Sequence, residues 1–146
     1  MKSLLRIGAV SAIIVMLAVL AGCSSGGGTA EMGKTLYASL GRADGVAKLA
    51  NQFGANIAAN PMLNSMLDAA VIGDIKTGLT NDIIKVSGMT PPNKITMESA
   101  LAGKNLGSEG FDALSSCLTD AGDSMSLDST TMDSLSALLK PLSKSK

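Results

Sequence analysis

The stretch Met97-Glu98-Ser99-Ala100-Leu101-Ala102-Gly103-Lys104-Asn105-Leu106-Gly107-Ser108-Glu109-Gly110-Phe111 decides how this chain folds. Thr96, with a side-chain oxygen free to accept from the backbone, predicts the start of a short helix running through Leu101. Gly103 and Gly107 bracket a turn, because glycine leaves a helix through the left-handed region without steric cost. Ser108 is a good cap for a further helix, and Glu109 sits where a carboxylate meets the positive end of the helix dipole. Phe111, Leu114 and Leu118, with Cys117, recur at spacings of three and four and so share one inward face. The stretch therefore reads as helix, glycine turn, helix, with an apolar stripe beginning at its end.

Working outward, the same period recurs on both sides. Upstream, Val46, Leu49, Phe53 and Ile57 form one stripe of a helix over 43–59. Asn60-Pro61 ends it, since the residue before proline disfavours the α region. Met62, Leu63, Met66 and Leu67 make a short apolar continuation. Ile72, Ile75, Leu79, Ile83 and Val86 mark the next amphipathic helix, with Asp74, Lys76, Asn81, Asp82 and Lys85 mostly on its opposite face. Gly88-Met89-Thr90-Pro91-Pro92-Asn93 is a loop by its breakers. Downstream, Asp120 to Asp128 reads as a polar turn. Asp128, Ser129 or Thr130 then caps a last helix carrying Met132, Leu135, Leu138, Leu139 and Leu142, which Pro141 bends or ends. No segment reads as a strand, and the expectation is an all-α domain around one core.

Several of these features resemble group 1 truncated haemoglobins. Met97, Ala100, Gly103, Leu106 and Phe111 fall in register with that family's proximal stretch. Thr35-Leu36-Tyr37-Ala38-Ser39-Leu40-Gly41 resembles its Leu-Tyr-x-x-Leu-Gly-Gly opening. Ala59-Asn60-Pro61-Met62-Leu63 resembles its Ala-Asp-Pro-x-Leu, and Leu138-Leu139-Lys140-Pro141-Leu142 its closing Leu-x-x-Pro-Leu. The resemblance spans about residues 35 to 142 and implies a two-over-two helical sandwich. It also implies a haem pocket lined by Phe53, Leu67, Leu79, Ile83, Met97, Leu101 and Phe111. The departures fall on the chemistry. Leu101 replaces the iron-binding His, and the chain has no His at all. Gly54 stands where the family carries a Tyr that hydrogen-bonds bound gas, and Leu67 near its haem-stacking aromatic. Lys76 or Leu79 lies near its distal polar groups. Haem ligands in other proteins include Cys, Met and Tyr. Met97 lies about one turn before Leu101 and Lys104 nearly one turn after, so either reaches towards a pocket centre, although core packing for Met97 and solvation for Lys104 are the simpler roles. The expectation is a haem-free binding or scaffold module, with no cofactor. The alternative is a divergent haem- or oxygen-binding globin that uses a ligand other than His.

The first residues carry an address. Lys2 and Arg6 precede an apolar run from Ile7 to Leu20, about 14 residues, which suits a signal peptide better than a spanning helix. Leu20-Ala21-Gly22-Cys23 then reads as a lipobox, with Cys23 the residue that receives lipid. A single acyl chain holds a membrane only weakly, so the two or three chains expected on Cys23 are what make the attachment lasting. Ser24 rather than Asp after the cysteine matches an outer-membrane address facing the periplasm. Ser24-Ser25-Gly26-Gly27-Gly28 is a flexible tether. The expected organisation is a signal peptide over 1–22, a lipidated cysteine and linker over 23–33, and a helical domain over 34–143.

Twelve Lys and Arg balance twelve Asp and Glu, and aromatic residues make up only 2% of the chain. Nucleic-acid binding lacks both its electrostatic and its stacking basis. With no His, a Ser-His or Cys-His nucleophile pair is excluded, and no other enzyme constellation is visible. Asp120, Asp123 and Asp128 do not have EF-hand spacing and read as a solvated turn. Once Cys23 is lipidated only Cys117 remains as a thiol. It can close no internal disulfide, and its expected role is that of a small buried apolar residue. The expected partners are membrane lipid through Cys23, and a small apolar ligand or a periplasmic protein.

Overall fold

The computed structural model describes residues 36–144; the apolar run, Cys23 and the tether lie outside them. All the regular structure among the described residues is helical, with no strand among them. In chain order the helices are α1 (Arg42–Ala59), α2 (Pro61–Met66), α3 (Ala69–Val86), α4 (Met97–Leu101), α5 (Gly107–Ser124) and α6 (Ser129–Leu139), followed by a 3-10 turn over Lys140–Lys144. None of these helices is long and apolar enough to cross a membrane.

Local chemistry sets most of the boundaries. A helical turn at 36–39 stops at Gly41, whose φ of 87° is in the left-handed region. Four residues on, Gly45 lets the chain double back, because a β-carbon there would collide with the Leu40 carbonyl oxygen. Asn60 ends α1 in an extended conformation and caps α2, its Oδ1 accepting the N–H groups of Met62 and Leu63 at 3.1 Å each. Asp68 caps α3 through the Val71 N–H at 2.9 Å. Thr96 caps α4 in a reciprocal box: the Ser99 N–H donates to Thr96 Oγ1 at 3.1 Å and the Thr96 N–H to Ser99 Oγ at 2.9 Å. Asp128 caps α6 by accepting the Thr131 N–H at 2.8 Å.

Two expectations about boundaries are corrected. Ser108 is not a cap: α5 starts at Gly107 after Leu106, with no side-chain cap, and Ser108 is exposed inside the first turn. The polar segment after Asp120 is not a turn until Met125, because α5 continues to Ser124 and buries Ala121 and Gly122. Those two small residues let α6 lie close; Met132 sulfur occupies the space a β-carbon on Gly122 would need.

α1 is the centre of the packing. It meets α3 on one side and α5 on another; α2 bridges α1 and α5, α4 packs on α3, and α6 packs on α5. The stripe Val46, Leu49, Phe53 and Ile57 is at most 1% exposed, and Leu114, Cys117, Leu118, Leu135 and Leu139 close the core from α5 and α6. The Asn56 side chain ties the two faces together, donating to the Cys117 carbonyl at 3.0 Å. The continuation after Pro61 splits by face: Leu63 and Leu67 are buried, Met62 and Met66 exposed.

Candidate functional site

The seven residues expected around a pocket fall into two groups. Phe53, Leu67, Leu79, Ile83 and Met97 are at most 1% exposed and belong to one continuous core. Leu101 and Phe111 are half-buried and pack against that core from outside. Their other sides line a surface hollow of about 850 Å³, with Leu106 and Leu142 completing its apolar floor and Glu98, Lys104, Asn105, Ser108 and Asp112 at its polar rim. Its volume falls within the range of small-molecule sites.

The interior is closed by the way α4 seats on α3. Gly78 is buried in the middle of α3. A β-carbon there would lie 2.4 Å from the Met97 nitrogen, 2.5 Å from the Thr96 carbonyl carbon and 2.8 Å from the Thr96 oxygen. The first turn of α4 thus rests backbone-first on α3, a fit that no residue but glycine permits. Hydrogen bonds fasten it. Asp82 Oδ2 accepts the Met97 N–H at 3.0 Å. The Asn81 amide donates to the Ile95 carbonyl at 2.7 Å and to Asn93 Oδ1, which also accepts the Ile95 N–H at 3.0 Å. The sequence pattern put Asn81 and Asp82 on a polar outer face. In the folded chain Asn81 is 2% exposed and Asp82 half-buried, because the segment after Val86 folds back over that face. Burial holds the Asp82 carboxyl above its ordinary value; the Met97 N–H and Lys85 pull it down, and Glu98 adds to the rise.

A second close approach joins α1 to α3. Gly54 is buried, and a β-carbon on it would lie 2.5 Å from Lys76 Cδ and 2.8 Å from Cγ. The aliphatic stem of Lys76 lies across the bare backbone of α1, filling the space in which the resemblance would place a Tyr ring. The two candidate substitute ligands are separated in kind. Met97 is wholly buried among core side chains, whereas Lys104 is half-buried and lines the surface hollow.

The described residues do not fit a haem between α3 and α4. Backbone contact at Gly78 leaves no gap there, and any slot through the cluster exposes Leu79, Ile83 and Met97. At roughly 1.5–3 kcal/mol for each fully buried side chain, such an opening costs about 5–9 kcal/mol before a ligand returns anything, a large share of the roughly 5–15 kcal/mol that holds a typical domain together. Among the described residues no group of three or more His, Cys, Asp or Glu is placed to hold a metal ion. Asp120 and Asp123 stand exposed on α5, and Asp128 is committed to its cap. Cys117 is 4% exposed, and burial first, then Asp120, pushes its thiol up and keeps it protonated.

No family model, curated protein or solved structure matches this chain. What its described residues offer is a fastened interior and an apolar-floored hollow at the corner of α4 and α5.

Proposed function

We propose that this chain is an envelope lipoprotein, attached by lipid on Cys23, whose globin-like helical domain is a non-enzymatic binding or scaffold module. Its ligand surface is the hollow beside α4, and not the interior between α3 and α4. The observation that carries this reading is the seating of α4 on Gly78, together with Leu101 at the position of the expected His. The first takes away the space for a porphyrin and the second takes away its iron ligand. The pairing of α1 with α3 and of α5 with α6 supports the globin-like layout. The hollow's mixture of apolar floor and polar rim suits a small apolar ligand carrying a few polar groups, or an apolar side chain of a periplasmic partner.

Titration of the full chain in mild detergent with haemin tests the interior. The expected result is a broad absorption that grows without saturating. A sharp Soret band at one haemin per chain, lost in Met97→Ala or Lys104→Ala, overturns this reading in favour of a divergent haem-binding globin. Intact-mass measurement of the membrane-extracted protein tests the anchor. Two or three acyl chains on Cys23, absent from Cys23→Ser, are expected; an unmodified cysteine in the native protein refutes the lipoprotein assignment.

A further inference from the structure

We infer that Met66 is an oxidation-sensitive clasp between α2 and α5: a peroxide adds one oxygen atom to its sulfur, and the sulfoxide loosens α2 from α5. Met62, Met66 and Met89 are 42%, 36% and 42% exposed, whereas Met97 is wholly buried. Exposure makes the first three reachable by an oxidant in water. Met66 is singled out by what lies on its covered side. Gly110 is buried on α5, and a β-carbon on it would lie 3.7 Å from Met66 Sδ and 3.1 Å from Leu106 Cβ. The sulfur thus sits over bare backbone of α5 while part of its side chain stays in solvent.

The step is a two-electron oxidation of the thioether. A sulfur lone pair attacks one peroxide oxygen, and an S–O bond forms as the O–O bond breaks. The departing hydroxide takes the proton of the transferred hydroxyl and leaves as water. The sulfur is oxidised and the peroxide reduced. An apolar group has become a polar one whose oxygen needs a hydrogen-bond donor. The Gly110 N–H is already given to the Leu106 carbonyl at 3.1 Å, so the new oxygen turns to water and draws the side chain off α5. α2 is poorly placed to absorb that loss. It has six residues, well short of the roughly 12–15 at which a helix stands alone, and it depends on the Asn60 cap, buried Leu63 and its packing on α1 and α5.

The test treats the full chain in mild detergent with hydrogen peroxide and follows each methionine by peptide mass. Met66 should gain its oxygen at least tenfold faster than Met97, and a smaller ratio overturns the clasp. Hydrogen exchange then reads α2 through Asn64 and Leu67, whose N–H groups are each bonded within it at 2.8 Å. Their exchange should be threefold or more faster in the oxidised chain, the size of effect set by losing part of one methionine's burial. A smaller rise overturns the proposal. Met66→Leu keeps the volume and removes the sulfur. Treated identically, it should show a rise below twofold although Met62 and Met89 become sulfoxides. A larger rise assigns the effect to those two and overturns the role of Met66.

Discussion

Replacing Gly78 by alanine sets two effects against each other. Alanine is favoured over glycine in a helix interior by about 0.8–1.0 kcal/mol, so propensity alone predicts a more stable chain. The contact predicts the opposite. The new methyl would sit 2.4 Å from the Met97 nitrogen and 2.5 Å from the Thr96 carbonyl carbon, and both are backbone atoms that no rotamer change can remove. α4 has to shift by about 1 Å to restore ordinary contact, straining the 3.0 Å bond from the Met97 N–H to Asp82 and displacing the fully buried Met97 side chain. Overpacking of this kind costs about 1–3 kcal/mol, and weakening a hydrogen bond to a charged acceptor costs up to about 1.5–3 kcal/mol more. The clash outweighs the propensity gain, and the net expectation is a loss of about 1–3 kcal/mol, a fall in melting temperature of roughly 5–15 °C. Gly73 supplies the control. It lies in the same helix with nothing within 4 Å of a β-carbon, so Gly73→Ala should raise the melting temperature by a few degrees. Thermal melts of the two variants by far-ultraviolet circular dichroism decide the matter. Shifts of the same sign, or a Gly78→Ala chain as stable as wild type, refute the seating of α4 on α3 and the closed interior with it.

Four further outcomes are expected. The two perturbed aspartates act in opposite directions around the ordinary value of 3.8. Burial raises Asp82 in the folded state, so its contribution is present below 3.8 and lost as pH rises through the raised value; Asp82→Asn should gain on wild type across that window in denaturant melts. Hydrogen bonds from Thr131 lower Asp128, so its contribution is present above 3.8 and lost as pH falls through the lowered value; the deficit of Asp128→Ala should be full at neutral pH and shrink in acid. Cys117 should resist a thiol reagent in the native chain and react when denaturant is added, and rapid native labelling would contradict its place in the core. Introducing an imidazole with Leu101→His should not produce a saturable one-to-one Soret band with haemin, because position 101 lines an open surface hollow and not a slot between helices.

What the sequence reveals follows from how far each interaction reaches along the chain. The stripe Val46, Leu49, Phe53 and Ile57, the break at Asn60-Pro61, the Thr96 cap and the stop at Pro141 all depend on neighbours within a turn or two, and all are legible as pattern. Asn81 and Asp82 are not. By period they belong to a solvated face, and they are covered because a segment more than ten residues downstream folds over them. Ser108 has the right side chain for a cap, but Leu106, with Gly107 following at a positive φ of 61°, already turns the chain into α5. Leu106 also packs against the core, which fixes the entry to the helix two residues early.

The candidate site divides along the same line. That Leu101 cannot hold iron is written in one letter. That the interior has no room for the porphyrin depends on Gly78 and on the backbone at Thr96 and Met97, nearly twenty residues apart, and a glycine within a helix reads locally only as a small cost in propensity. Leu101 and Gly78 stand on separate elements, α4 and α3. The apolar residues of the interior pack on each other, and Leu101, Leu106, Phe111 and Leu142 are left lining the hollow at the corner of α4 and α5.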